Sequence, residues 1–250
     1  MIDKTKNAIE IENVSVKYHN FTALHDTSIK IPHGTFSGVI GMNGAGKSTL
    51  FKVIMGLLVP SKGSVTVCER TTREAQKIGC VAYVPQSELV DWDFPVSVYE
   101  VVMMGRYGLQ DVFRSLRAED KAKVEEALEK VGMLEYKDRQ IGELSGGQRK
   151  RVFVARALAQ GAEILLLDEP FAGIDAKSER TLTALLLSFK AEGKTIILST
   201  HELTSLSEYC DHVALVKRTV IAYGPTKEIF TRELVSKAFD GIVHRVQFER

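Results

Sequence analysis

The residues with the clearest chemical pattern are 41–49, which read Gly-Met-Asn-Gly-Ala-Gly-Lys-Ser-Thr. A glycine, four further residues and then Gly-Lys-Ser are typical of a loop that binds phosphate groups. Glycines allow the backbone N–H groups of such a loop to converge on one anion. Lys47 adds a positive charge for the β- and γ-phosphates, and Ser48 offers a hydroxyl ligand to Mg²⁺. The predicted phosphate and nucleotide contacts are Gly41, Met42, Asn43, Gly44, Ala45, Gly46, Lys47, Ser48 and Thr49.

Two regular elements must hold this loop in place. Residues 36–40 predict a strand before the loop, which ends in the buried run Gly38-Val39-Ile40, and the apolar pattern after the loop predicts a helix at about 47–57. The positive end of that helix would point at the bound anion. A glycine turn that precedes a helix by chance is the alternative interpretation, and the strand–loop–helix context argues against it.

Two adjacent carboxylates follow a second apolar run, at residues 164–167. Such a run predicts a strand that is buried on both faces, and ligands bind at the carboxyl ends of strands in open α/β sheets. Asp168 is therefore the predicted ligand of Mg²⁺, through water, and Glu169 is the predicted general base that polarises the attacking water. Surface acids that end a strand are the alternative interpretation.

The segment Leu-Ser-Gly-Gly-Gln at residues 144–148 is the second diagnostic sequence. Ser145 and Gln148 can form a capping box, and the glycines leave a helix N-terminus open to an anion. In isolation this would be an ordinary helix start. Together with the phosphate-binding loop, it resembles the signature of ABC ATPases. The chain resembles the nucleotide-binding subunit of an ABC transporter over about residues 9–240.

This resemblance assigns roles to further residues. Gln86 corresponds to the Q-loop glutamine that contacts Mg²⁺ and the attacking water, and His201 to the switch histidine that contacts the γ-phosphate. Asp175 corresponds to the D-loop aspartate, although Ala-Gly-Ile-Asp departs from the commoner Ser-Ala-Leu-Asp. Tyr18 corresponds to the aromatic residue that stacks on adenine. Without the family, these side chains would be interpreted as structural or surface residues.

The resemblance also implies that one chain cannot complete the site. Ser145, Gly147 and Gln148 of one copy would contact ATP that is bound to the phosphate-binding loop of a second copy, in a two-fold symmetric homodimer. ATP and Mg²⁺ are the implied cofactors. The implied partners are an integral-membrane permease and, indirectly, a substrate-binding protein, whereas nucleic acid is not expected. Through the permease, the chain would lie at the cytoplasmic face of the cell membrane.

Residues 83–108 and 149–158 look like the ATPase subunits of bacterial importers for manganese, zinc or chelated iron. Manganese is the first candidate substrate, with zinc, chelated iron, an iron-siderophore or another substrate as alternatives. A soluble ABC ATPase outside transport is a further alternative, but such proteins usually carry a coiled-coil insert or two cassettes. A regulatory module without turnover is disfavoured because Glu169 and His201 are both present.

The segment 86–107 follows the Q-loop and opens a helical region, so we expect it to dock the permease. Its aromatic cluster Trp92-Asp93-Phe94 would be exposed, and Glu88 and Arg106 would be exposed charges. A hydrophobic staple that holds the helical region together is the alternative interpretation.

Composition excludes several other classes. The chain has 250 residues, 44% hydrophobic content and a formal net charge of +1, which fit a globular protein and give no electrostatic reason to bind a polyanion. No apolar run approaches the ~20 residues that a membrane helix needs, and the N-terminus lacks the apolar core of a signal peptide. Cys68, Cys80 and Cys210 form no Cys-x-x-Cys pair, so neither a zinc site nor a disulfide framework is expected.

Strands that alternate with helices predict an α/β protein with a mostly parallel sheet covered on both faces. Alternating residues at 9–16 and 27–31 predict an antiparallel layer, and residues 97–134 predict helices. The expected fold is a P-loop ABC ATPase domain with a mostly parallel core sheet, an antiparallel β layer and an inserted helical subdomain. We expect one domain at 1–250, with its core at about 9–86 and 160–240 and the helical subdomain at about 87–159.

Overall fold

The computed structural model describes residues 6–86, 95–109, 117–203 and 206–241. The predicted cluster at Trp92 and the charge at Glu88 lie outside these residues. The strands are β1 (Asn7–Tyr18), β2 (Phe21–Pro32), β3 (Phe36–Ile40), β4 (Lys62–Val67), β5 (Arg70–Thr71), β6 (Val81–Val84), β7 (Ile164–Asp168), β8 (Thr195–Thr200), β9 (His212–Val216) and β10 (Val220–Pro225). The α-helices are α1 (Lys47–Ile54), α2 (Thr72–Lys77), α3 (Val98–Met103), α4 (Ala118–Lys130), α5 (Gly146–Ala159), α6 (Ala176–Ala191), α7 (Leu206–Tyr209), α8 (Thr226–Ile229) and α9 (Arg232–Ala238).

The larger sheet has the strand order β10-β9-β3-β8-β7-β6. Its neighbouring strands are parallel except for β10, which runs antiparallel to β9. Strands β3, β7 and β8 are buried along their whole length, as apolar strands covered on both faces should be. The smaller sheet is antiparallel, in the order β2-β1-β4-β5. The predicted α/β class, with a mostly parallel sheet and an antiparallel layer, is confirmed.

The elements around the phosphate-binding loop follow the sequence closely. Strand β3 has the predicted bounds, and α1 begins at Lys47 as predicted. The helix ends at Ile54 and not at 57 because Gly56 adopts a left-handed conformation with φ 67. The amides of Leu57 and Leu58 then both donate to the carbonyl oxygen of Lys52, which is how a left-handed residue commonly terminates a helix.

Helices α3, α4 and α5 lie in the chain between β6 and β7, which are adjacent in the sheet. Val124 and Leu128 of α4 and Val131 at its end recur at helical spacing, and all three are buried in the core. Ser97 and Glu100 form a capping box at the start of α3. Among the described residues, no helix combines the length and apolarity needed to cross a membrane.

Arg106 is not the exposed charge that the sequence suggested. It lies in a 3₁₀ helix, and its side chain is only 13% exposed. Its Nε donates to Oδ1 of Asp120 at 2.8 Å, and its Nη1 donates to the carbonyl oxygen of Ala159 at 2.8 Å. The hydrogen bond from Arg106 lowers the pKa of Asp120. The expectation was wrong because the 3₁₀ helix turns this side chain against α4 and the end of α5.

The expectation of no disulfide is also wrong. Cys68, which follows β4, and Cys80, which precedes β6, form a disulfide with their Cα atoms 6.9 Å apart. The intervening β5 and α2 bring Cys80 back beside Cys68, and both cysteines are buried. Cys210 is free and buried.

Candidate active site

The loop between β3 and α1 requires glycine at two positions, for different reasons. A side chain at Gly41 would clash with a backbone carbonyl of β9. Gly46 has φ 102, and a Cβ atom there would lie 2.8 Å from the carbonyl oxygen of Ala23 in β2. The amide of Arg218, in the turn between β9 and β10, donates to the carbonyl oxygen of Ala45 at 2.7 Å. Both sheets therefore shape the loop.

Lys47 lies in the first turn of α1 and is only 5% exposed. Its Nζ donates to the carbonyl oxygens of Gly41, at 2.7 Å, and Met42, at 3.2 Å, and lies 3.4 Å from Oε1 of Glu169. Burial lowers the pKa of Lys47, and the charges of Glu169 and Asp168 oppose that effect. A phosphate at the loop would add another anion to stabilise the ammonium group.

Glu169 brings the predicted catalytic residues together. Nε2 of Gln86 donates to Oε2 of Glu169 at 2.7 Å, and Nδ1 of His201 lies 3.1 Å from Oε1. The backbone of Glu169 has φ 47, and its amide donates to Oγ of Ser199 at 3.0 Å. Left-handed non-glycine residues are uncommon and cluster at functional sites. The structure thus places Lys47, Gln86 and His201 around one buried carboxylate.

Asp168, at the end of β7, is held by two hydroxyl groups and is 3% exposed. The hydroxyl of Tyr83 donates to Oδ2 at 3.0 Å, and Oγ of Ser199 donates to Oδ1. Each carboxylate oxygen therefore accepts a hydrogen bond from the protein.

A cavity of about 330 Å³ opens over the loop. Residues 42–49, Gln86 and Glu169 line it, together with Tyr18 and Phe21. The two aromatic residues pair across the turn between β1 and β2 and are 38% and 46% exposed. Cross-strand partners lie on the same face of a hairpin, so both rings are available to a flat ligand.

The signature residues form a second cluster around the N-termini of α5 and α6. Ser145 and Gln148 make the predicted capping box, with hydrogen bonds of 2.9 and 3.3 Å. Asp175 caps α6 and accepts hydrogen bonds from the amide and hydroxyl of Ser178. Gly147 packs so closely on Ser178 that a side chain there would clash with it. Ser145, Gly147, Gln148 and Asp175 are not among the residues that line the described cavity.

A family model described as ABC transporter matches residues 24–172 of this chain. The chain belongs to the ABC transporter family. It is 52% identical over 235 residues to the manganese transport system ATP-binding protein MntA of Synechocystis sp., covering 94% of this chain and 90% of that protein. It is 43% identical over 249 residues to the zinc transport system ATP-binding protein TroB of Treponema pallidum, covering 100% and 93%.

The fold agrees with a crystal structure of an ATP-binding cassette of an ABC transporter in its ADP conformation. The TM-score is 0.81 at 28% sequence identity, and the match covers 93% of this chain and 96% of that one. The family recognised in the sequence, its fold, and the ATP binding and ATPase activity that the family implies are confirmed.

The donor chemistry of this ABC ATPase fits Mg²⁺. Asp168, Ser48 and the Gln86 amide offer the hard oxygen atoms that Mg²⁺ prefers. Across residues 6–86, 95–109, 117–203 and 206–241, no group of three or more His, Cys, Asp or Glu could hold a metal. A few protein oxygens would suffice for this ion, because Mg²⁺ is usually bound by one or two carboxylates together with substrate phosphates and water.

Sequence reasoning missed three residues of this ABC ATPase site. Phe21 could have been found, because a two-residue turn after Tyr18 places it opposite that residue. Tyr83 and Ser199 reach Asp168 from neighbouring strands, and no local pattern in the sequence marks them as its partners.

Proposed function

We propose that this chain is the ATP-hydrolysing subunit of a bacterial metal importer, with manganese as the first candidate substrate. The observation that carries the proposal is the convergence of Lys47, Gln86 and His201 on Glu169 beside the loop cavity. The manganese and zinc transport proteins described above support the class of substrate. Zinc and chelated iron stay as alternatives within that class, because residues 83–108 also resemble the importers of these metals.

The proposed nucleotide position follows from the cavity. The triphosphate lies on residues 41–49, and the adenine stacks on Tyr18. Ser48, Asp168 and Gln86 are the candidate holders of Mg²⁺. When bound, this ion supplies positive charge that neutralises the charge developing on the phosphate oxygens.

Glu169 is the proposed general base. Its Oε1 now faces both Lys47 and His201. A triphosphate on the loop attracts Lys47 away from the carboxylate, so that Glu169 can accept a proton from water. The water oxygen then bonds to the γ-phosphorus while the bond from that phosphorus to the β–γ bridging oxygen breaks, which yields ADP and phosphate. Before this step, His201 contacts the γ-phosphate of the bound ATP.

The second cluster, made of Ser145, Gly147, Gln148 and Asp175, is proposed to act on the nucleotide of another copy. Its helix N-terminus at α5 can receive a γ-phosphate. Its residues do not line the cavity of their own chain, which supports a contact with the nucleotide of another copy. In a two-fold symmetric homodimer, the second cluster of each copy would contact the nucleotide on the phosphate-binding loop of the other copy.

The proposed partners are a membrane permease and, through it, a substrate-binding protein, which would place the chain at the cytoplasmic face of the membrane. Met104 and Tyr107, in the proposed docking segment 86–107, are 44% and 46% exposed. Exposed large apolar side chains in one short helix suit a partner interface.

Uptake by cells that express the chain with its permease tests the proposed substrate. We expect manganese uptake that excess zinc or iron inhibits poorly, and no uptake with Lys47→Ala. Uptake of none of the three metals, or equal uptake with Lys47→Ala, would refute the proposal.

The docking segment is tested with Met104→Glu and Tyr107→Glu. Leu134→Glu, at an apolar residue that is 36% exposed outside this segment, is the matched control. Docking predicts that the first two variants keep basal ATPase activity but do not copurify with the permease. If they copurify as well as the control does, this surface is not the interface.

A further inference from the structure

We infer that Tyr83 is a positioning residue for the metal-binding carboxylate, and that its hydroxyl sets how tightly the site binds Mg²⁺ with nucleotide. The inference rests on the proposed function, in which Asp168 holds Mg²⁺. The Tyr83 hydroxyl donates to Oδ2 of Asp168 at 3.0 Å, while Ser199 donates to Oδ1. Because each oxygen accepts one hydrogen bond, the carboxylate has a fixed orientation. Side chains that orient a metal ligand in this way tune the affinity of the site for the metal.

The ring of Tyr83 is itself fixed by the helix that follows the phosphate-binding loop. It meets Phe51 of α1 edge to face, with the ring centroids 6.3 Å apart and the planes at 85°. Phe51 is completely buried. The hydroxyl of Tyr83 therefore has little freedom. Through its ring on Phe51 and its hydrogen bond to Asp168, Tyr83 connects this carboxylate to α1, the helix that carries Lys47 and Ser48.

Strand β6 also connects the two carboxylates. Tyr83 lies within the strand and contacts Asp168, whereas Gln86 lies just after it and contacts Glu169. One short segment thus supplies a donor to each of two adjacent carboxylates.

The competing explanation is that the hydroxyl only satisfies a half-buried polar group and stabilises the fold. The two explanations differ in one measurable quantity. A structural role changes nucleotide binding equally with and without the metal, whereas a positioning role changes only the part that depends on Mg²⁺.

The test compares the full chain with Tyr83→Phe, which keeps the ring on Phe51 and removes the hydrogen bond. Binding of a fluorescent ATP analogue is measured during Mg²⁺ titration and again in EDTA, with Mn²⁺ spectroscopy as a second readout of the metal. We expect the Mg²⁺ midpoint to rise about tenfold, with binding in EDTA unchanged. Tyr223→Phe, whose hydroxyl lies 3.4 Å from Oγ of Ser37, should change neither quantity.

Two further variants keep the test decisive. Tyr83→Leu also lacks the hydroxyl, so it must raise the Mg²⁺ midpoint and leave binding in EDTA unchanged. If one of the two variants fails to fold, the other still tests the inference. In an Asp168→Asn background, Tyr83→Phe should have no additional effect on the Mg²⁺ midpoint, because the two residues act as one unit. An unchanged midpoint, or an equal loss with Mg²⁺ and EDTA, would overturn the inference. A wild-type chain that binds no nucleotide would instead refute the proposed function.

Discussion

Replacing Glu169 by glutamine tests the central residue of the site with little change in shape. Gln86 and His201 now contact different oxygens of Glu169, and the single amide oxygen of glutamine can keep only one of these hydrogen bonds. The amide also cannot take a proton from water. A positioned general base contributes about 10²–10⁴-fold to a rate. We therefore expect Glu169→Gln to lower ATP hydrolysis by a factor in that range.

The same change should strengthen ATP binding. Nζ of Lys47 lies 3.4 Å from Oε1 of Glu169, and two unit charges at this distance attract by about 5 kcal/mol at an effective dielectric constant near 20. Desolvation of the two buried charges offsets most of that attraction. If about 1 kcal/mol remains, release of Lys47 to the phosphates tightens ATP binding about fivefold.

Phosphate release and calorimetric titration with ATP measure the two effects separately. Glu129→Gln removes an exposed carboxylate from α4 and serves as the control, which should behave as wild type. Hydrolysis within a few-fold of wild type would show that Glu169 is not the base. Unchanged ATP affinity together with lost hydrolysis would show that Lys47 and the phosphates do not compete for this carboxylate.

Gly41→Ala should abolish nucleotide binding, because the new side chain would clash with the backbone of β9. At Gly44 a side chain meets no atom within 4 Å, so Gly44→Ala should lower the free energy of unfolding by only about 1–2 kcal/mol, the cost of its left-handed backbone. Titration with ATP and thermal unfolding measure these two effects. In denaturant without reductant, one of the three cysteines should react with a thiol reagent, and three reactive thiols would contradict the Cys68–Cys80 disulfide. Reduction should lower the free energy of unfolding by about 3 kcal/mol. Chains with Ser145→Cys mixed with chains carrying Gly44→Cys should cross-link when ATP is added, and the absence of such cross-links would argue against the composite site.

The parts of the fold that the sequence predicts well are those fixed by local pattern. Strand β3 has the predicted bounds and β7 contains the apolar run at 164–167, because strands buried on both faces leave a strong signal in the sequence. The loop at 41–49 and the carboxylates after β7 are contiguous in sequence, so their spacing alone identifies them. The grouping of Gln86 and His201 around Glu169 required the resemblance to the family as well.

The parts that could not be predicted depend on contacts between distant segments. Strand β10 consists mainly of half-buried residues without clear alternation, and α2 buries only Ala75, so neither gives a strong periodic signal. The Cys68–Cys80 disulfide depends on how β5 and α2 return the chain. The burial of Arg106 likewise depends on the packing of a 3₁₀ helix against α4.

ATP-driven metal transport by the assembled complex is the most direct test of the proposed function. Proteoliposomes would hold the chain with its permease, ATP and Mg²⁺ sealed inside, and manganese with the substrate-binding protein outside. We predict that manganese accumulates inside with the wild-type chain and not with Glu169→Gln. Failure of manganese, zinc and iron to accumulate, or equal accumulation with Glu169→Gln, would contradict the assignment of this chain as the ATPase of a metal importer.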